Sequence, residues 1–130
     1  MRNVADFHDL TGASVFITGG GSGIGAALTE GFLEQGANVA FIGRSDATGF
    51  CDRMEETHAR RPLFLQGDIS DVAALQAAIA QAAEAYGPVS VLINNAANDQ
   101  RHTTPEVTEE FWDRMQAVNL KAYFFACQAV

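Results

Sequence analysis

The sequence predicts an α/β fold with a doubly wound parallel sheet, and three observations carry that prediction. Short apolar runs alternate with helix-period segments from Thr11 onward, the pattern of repeated βαβ units. Five glycines fall within the seven positions Gly19 to Gly25, where the first apolar run hands over to the first helical segment. A composition of 48% hydrophobic and 18% charged residues over 130 residues fits one packed globular domain.

Each element has its own signal. Ala13 to Ile17 is an apolar run and forms the first strand. The first helix starts near Ser22, repeats Ile24, Leu28 and Phe32 at steps of four, and ends at Gly36. Asn38 to Ile42 is the second strand. The second helix runs from Ala47 to about Arg60 and is stopped by Pro62. Leu63 to Gln66 is the third strand. Asp68-Ile69-Ser70-Asp71 supplies a loop and an N-cap for a third helix, whose apolar face is Val72, Leu75, Ile79 and Ala82. Gly87-Pro88 ends that helix, and Val89 to Ile93 is the fourth strand.

A polar loop from Asn95 to Pro105 leads to a last helix beginning after Thr108. There Phe111, Met115, Val118, Ala122, Phe125 and Ala129 form one stripe, and Trp112, Tyr123, Ala126 and Val130 cover much of the rest. A helix apolar nearly all round is expected to be buried on more than one side, by core, by a subunit interface, or by both on opposite faces. The continuous run Val91-Leu92-Ile93 suits a strand covered on both faces of a larger parallel sheet. The 130 residues are therefore expected to be the first part of a larger single domain, cut after strand four and part of the following helix.

The net charge of −8 argues against nucleic acid or an anionic membrane surface as partner, since Lys121 is the only lysine. Met1 to Leu10 is polar and no apolar run reaches spanning length, so neither a signal peptide nor a membrane span is expected. Cys51 and Cys127 form neither a disulfide framework nor a metal-ligand spacing, and no metal site is predicted. A reduced, cytoplasmic setting follows as the expectation.

The glycine segment carries the chemistry. Glycine adopts φ > 0 freely and lacks a Cβ, so a phosphate can lie against the main chain. The helix behind it aims free N–H groups and its positive dipole end at the anion. Read as Gly21-x-Gly23-x-x-Ala26 between a strand and a helix, the segment fits a dinucleotide fingerprint, and the fold class becomes a Rossmann-like doubly wound parallel sheet.

Thr18-Gly19-x-x-x-Gly23-Ile24-Gly25, then Asp68-Ile69, Asn94-Asn95-Ala96 and Asn119-Leu120-Lys121, resemble in order the motifs of the short-chain dehydrogenase/reductase family. The resemblance implies that Thr18, Gly19, Gly21, Ser22, Gly23, Ile24 and Gly25 cradle a nicotinamide cofactor. It also implies that Asp68 and Ile69 hold the adenine and that Asn95, Ala96 and Ala97 border the cofactor. By the same resemblance, Asn119 takes the catalytic position, supporting a water that connects to a catalytic lysine. Asp68 serves equally well as a turn residue, and Asn94 and Asn95 as partners for loop backbone. Two departures stand out: Ala97 replaces the family's usual glycine, and no Ser or Tyr-x-x-x-Lys follows Asn119. Tyr86 and Tyr123 are followed four residues later by Ser90 and Cys127. The 130 residues are expected to hold a cofactor without turning over an alcohol or carbonyl substrate.

An acidic residue at the end of strand two would bind the ribose hydroxyls of NAD. Here the strand ends Phe41-Ile42-Gly43-Arg44-Ser45, and Arg44, with Ser45 beside it, suits a 2′-phosphate. NADP is the expected cofactor, with NAD as the alternative because Ser22 is not basic and Asp46 lies close by. The loop Asn98-Asp99-Gln100-Arg101-His102-Thr103-Thr104 resembles that of the family's sugar and polyol dehydrogenases, although a solvated loop reads the same way. A homo-oligomer through the last helix completes the expectations.

Overall fold

The structure, a computed structural model, describes residues 5–130, so the first four residues of the polar Met1 to Leu10 stretch lie outside the described residues. Four strands form one parallel sheet: β1 Ser14–Thr18, β2 Asn38–Gly43, β3 Leu63–Gln66 and β4 Val91–Ile93, in the order β3-β2-β1-β4. In register, Val15 faces Val39 on one side and Val91 on the other, and Phe41 faces Phe64. Helices α1 Gly23–Glu34, α2 Thr48–His58 and α3 Val72–Tyr86 join the strands. After β4 the chain forms α4 Glu109–Gln116, a π-helical turn Ala117–Lys121 and α5 Ala122–Ala129.

Alternation along β1 and β2 builds two cores. Val15, Ile17, Val39 and Phe41 point to the face covered by α1 and α2, where they meet Leu33, Phe50, Cys51 and Met54. Phe16, Ala40 and Ile42 point to the opposite face and pack on Leu75, Ile79, Ala122 and Ala126 of α3 and α5. The sheet is thus wound on both sides. Each large side chain fully buried here contributes about 1.5–3 kcal/mol relative to leaving it in water. Burial also pushes the Cys51 thiol up, which marks it as a packing residue.

The boundaries differ from the sequence reading in explicable ways. Strand one runs to Thr18, not Ile17, because Thr18 pairs with Ile42. Helix two ends at His58 because Ala59 adopts the left-handed conformation at φ 53° and donates its N–H to the Glu55 carbonyl. Asp71 caps α3 by accepting from the Ala74 N–H at 3.1 Å, and Gly87 at φ 86° stops it.

The last helix departs most. It is not one regular helix but two α-segments joined by a π turn. It is not buried on more than one side within this chain: only Ala122 and Ala126 are fully buried, while Trp112, Leu120, Phe124 and Val130 are more than half exposed. Of the expected stripe, Phe111, Met115, Val118 and Phe125 are half-buried and Ala129 is exposed. The physical reason is that α3 covers only one face. β4 likewise has a neighbour on one side, β1, and its three residues are half-buried.

Candidate functional site

The C-terminal ends of the strands open onto a cavity of about 810 Å³. Its walls are the glycine loop, the segment Arg44–Asp46 after β2, the turn Gly67–Ser70 after β3 and the loop Asn95–Asp99 after β4, with Arg114 and Val118 reaching in from the last helix. Ligands of open α/β sheets bind at such a crevice.

The backbone demands glycine at specific points. Gly19 at φ +72° and Gly23 at φ +53° occupy the left-handed region. A Cβ on Gly25 would collide with the Gly19 carbonyl oxygen and lie 2.7 Å from Asn95 Nδ2. The positions that demand glycine are therefore Gly19, Gly20, Gly23 and Gly25, since a Cβ on Gly20 would lie 2.5 Å from Phe41 Cβ and 2.8 Å from Thr29 Oγ1, whereas Gly21 keeps ordinary φ and is only crowded by Phe41 and Ala47 at 3.0 Å. Thr29 locks the loop from beneath by donating its hydroxyl to the Gly20 carbonyl at 2.8 Å. Ser22 occupies the N-cap of α1 without a side-chain bond to the first turn, which leaves helix N–H groups for a ligand. Ile24 is 75% exposed and lies on the cavity wall, an apolar surface waiting for cover.

Thr18 and Asn95 tie the loop to the sheet. The Thr18 Oγ1 accepts from the backbone N–H of both Asn95 and Ala96 at 3.0 Å. Asn95 Nδ2 donates to the carbonyls of Thr18 at 3.0 Å and Gly19 at 3.3 Å. Thr18 is buried and does not line the cavity, so it shapes the site from behind. Ala97 sits on the cavity wall with no positive φ, so alanine in place of the family's glycine introduces no backbone strain.

At the end of β2, Gln66 Nε2 donates to the Arg44 carbonyl at 2.9 Å and fixes the chain there. Arg44 and Ser45 are exposed on the cavity wall. Asp46 is committed elsewhere: its Oδ1 accepts from the Thr48 hydroxyl at 2.6 Å and the Thr48 N–H at 3.0 Å, which holds its carboxyl below the ordinary value. Asp68 accepts from the Ser70 N–H at 2.9 Å and hydroxyl at 2.8 Å through one oxygen. The Ser70 N–H bond, helped by the Ser70 hydroxyl and the Arg44 charge against partial burial, keeps its carboxyl below the ordinary value. Asp68 is a turn residue and a cavity residue at once, with Ile69 buried beside it.

Asn119 lies in the π turn and does not line the cavity. Its side chain clamps the loop after β4: the Asn98 N–H donates to Asn119 Oδ1, and Asn119 Nδ2 donates to the Asn98 carbonyl, both at 2.8 Å. Tyr123 adds a second strut, donating its hydroxyl to the Ala96 carbonyl at 2.9 Å. Asn94 faces away from the cavity, with Nδ2 3.5 Å from Cys127 Sγ and a buried Oδ1 that has no partner among the described residues. Only Asn98 and Asp99 of the expected substrate loop reach the cavity. His102 stacks edge-on against Phe111 at 4.2 Å, and Thr103 donates to Glu106 at 2.6 Å, so the rest of that loop is occupied with its own structure.

Sequence reasoning missed Thr29, Tyr123, Arg114 and Val118. The first two act through single hydrogen bonds to distant carbonyls, which no local pattern encodes. Val118 packs against the α3–α5 core, as its place in the apolar stripe implies, and also lines the cavity, with Arg114, one turn earlier on the same face and 5.4 Å from the Phe111 ring centre, beside it.

A family model, "short chain dehydrogenase", matches residues 13–130. The chain belongs to the short-chain dehydrogenase family. Within that family it is 46% identical over 128 residues to a probable galactose dehydrogenase of Rhizobium meliloti, covering 97% of this chain and 50% of that protein. It is 41% identical over 127 residues to a D-xylose 1-dehydrogenase of Caulobacter vibrioides, again covering 97% and 50%. Among solved structures, a blue fluorescent protein from a metagenomic library in complex with NADPH superposes with a TM-score of 0.86 at 37% identity, over 92% of this chain and 50% of that one. A Burkholderia cenocepacia short chain dehydrogenase in complex with NADP gives 0.86 at 32% identity, over 92% and 50%. The short-chain dehydrogenase chain described here thus spans about half the length of the relatives it matches.

Proposed function

We propose that residues 1–130 form the N-terminal, dinucleotide-binding part of a larger single domain. That protein would be a cytoplasmic dehydrogenase passing a hydride between NADP(H) and the alcohol or carbonyl carbon of a sugar or polyol. The observation that carries this reading is the glycine loop with its uncapped helix N-terminus, opening into the same cavity as Arg44. The left-handed Gly19 and Gly23 shape the loop, and the missing Cβ at Gly25 lets α1 pack against the Gly19 carbonyl, an arrangement that would aim backbone N–H groups at a pyrophosphate. Asp46 is engaged by Thr48 and Gly43 carries no carboxylate, so Arg44 is the group at the β2 terminus suited to a 2′-phosphate. NAD is the alternative cofactor. The sugar or polyol substrate rests on the names of the galactose and xylose dehydrogenase relatives.

When bound, the cofactor supplies the hydride at its nicotinamide ring. This chain's residues hold and orient it: the glycine loop the phosphates, Arg44 and Ser45 the ribose end, Asp68 and Ile69 the adenine, Asn95 to Ala97 the wall opposite the loop. Asn119 acts as a positioning residue by clamping Asn98. Proton transfer would fall to the family's Ser and Tyr-x-x-x-Lys, which these residues do not contain, so the 130 residues should show no turnover. The outward face of α4 and α5 supports a homo-oligomer through the last helix.

Fluorescence titration with NADPH and NADH tests the cofactor reading. NADPH should bind more tightly, and Arg44→Ala should weaken NADPH by about tenfold or more, the equivalent of one charge-assisted bond, while sparing NADH. Saturable binding of neither nucleotide, or tighter binding of NADH, would overturn it.

A further inference from the structure

Arg114 lines the cavity, yet the cofactor contacts assigned above give it no task. It stands in α4 one turn before Val118, and the two line the cavity from the same face of the last helix. Ile42, Ile69, Ala96 and Val118 all belong to, or pack on, the α3–α5 core, and all four also line the cavity. That side of the cavity is therefore an apolar wall, suited to a flat heterocycle more than to a phosphate. Arg114 is the cation beside it.

The charge on Arg114 is held but not neutralised. Among the described residues it makes no ion pair. Its guanidinium carbon lies over the Phe111 ring, 5.4 Å from the centre and within cation–π range. Phe111 is in turn met edge-on by His102 at 4.2 Å. A long side chain rested on a fixed ring has less rotamer freedom to lose when a ligand arrives. A guanidinium is also planar and weakly hydrated, and it stacks on aromatic rings and on nucleobases alike. Asp46 and Asp68, by contrast, have carboxylate oxygens committed to Thr48 and Ser70.

We propose that Arg114 is a further cofactor-binding residue, whose guanidinium, backed by the Phe111 ring, stacks on the adenine against the wall of Ile69 and Val118. The phosphates already have the glycine loop and Arg44. This role rests on the nucleotide reading of the cavity but not on the choice of NADP over NAD, because both carry the same adenine.

Isothermal titration calorimetry of the 130-residue chain with NADPH, NADH and AMP tests this, with circular dichroism verifying that each variant is folded. Arg114→Ala should weaken all three by a similar factor of about fivefold, the loss of one exposed cation–π contact. Arg114→Lys keeps the charge but not the plane and should recover only part of that loss. Unchanged affinities in Arg114→Ala would overturn the proposal. So would a loss confined to NADPH, or one that lysine recovers in full, since either would make Arg114 a phosphate contact. A parent chain that binds none of the three would overturn the nucleotide reading itself, and this role with it.

Discussion

The two flanks of the β1 strand are finished to different degrees. On one side, β2, α1 and α2 bury Val39, Phe41, Ile42, Leu33 and Cys51 to at most 3% exposure. The glycine loop on that side is fixed by Thr29 from below and by Asn95 from across the sheet. On the other side, β4 is half-buried, Asn94 Oδ1 is buried without a partner among the described residues, and Trp112, Leu120 and Phe124 face solvent. The difference teaches that cofactor geometry here depends on contacts internal to the β1–α1–β2 unit. The β4–α4–α5 region instead carries surface that no described element covers. A few hydrogen bonds, from Thr18, Asn95, Asn119 and Tyr123, couple the two.

The closed flank should be the sensitive one. Gly25→Val places a branched side chain against the Gly19 carbonyl, which is backbone and has little room to yield. Overpacking of this kind costs about 3 kcal/mol or more. A urea titration should show the midpoint falling with an unchanged slope, and NADPH titration should show loss of binding. A stable, cofactor-competent Gly25→Val chain would mean that the loop is as loosely held as the open flank.

Thr18→Val tests the coupling between the flanks. Valine keeps the shape and the β-branching that suit a strand, but it deletes the oxygen that receives the Asn95 and Ala96 N–H groups. Two donors lose their acceptor in a partly buried place, and the expected cost is about 2 kcal/mol in the same urea experiment. Because Thr18 does not line the cavity, weakened nucleotide binding in a folded variant would show that it acts through the position of Asn95.

The fold was legible because its evidence is local. Apolar runs, glycine stops and the Asp68–Asp71 loop each lie within a few residues of the feature they determine, although the cap itself falls on Asp71 and not on Ser70. The glycine loop was legible for the same reason, and the backbone favours the Gly19-x-x-x-Gly23-x-Gly25 spacing of the resemblance over the Gly21-x-Gly23-x-x-Ala26 reading. What escaped was non-local or irregular. The π turn inserts one residue into a helix whose apolar residues still recur at steps of three and four, so periodicity shows no break at Ala117. Leu120, within that turn, and Phe124, just after it, stay exposed. The Asn119–Asn98 clamp spans 21 positions and is visible only once the loop is folded.

The open flank should tolerate what the closed one does not. Leu120→Glu with Phe124→Glu changes two residues that are 63% and 62% exposed, and in the folded chain each should alter stability by no more than about 0.5 kcal/mol. If the last helix is a subunit interface, the same double variant should shift sedimentation from oligomer to monomer. Sedimentation identical to the parent, with the parent an oligomer, would place the contact elsewhere.

The smallest effect expected is electrostatic and crosses the cavity floor. Asp68 is held below its ordinary value of 3.8 first by the Ser70 N–H, then by the Ser70 hydroxyl and the Arg44 charge. A carboxyl depressed in the folded state contributes stability that is fully present above its unfolded value and is lost as pH falls through its folded one. Stability should therefore drop below about pH 3.8, and Asp68→Asn should flatten that part of the acid limb by lowering stability at neutral pH while leaving the acid end little changed. The Arg44 contribution can be isolated, because Arg44→Ala leaves both Ser70 bonds in place. Carbon-detected NMR titration of the Asp68 carboxyl should then give a higher midpoint than in the parent, though still below the ordinary value. An unmoved midpoint would show that Arg44 and Asp68 are too well screened to sense each other, leaving the turn at Ser70 as the sole cause of the shift.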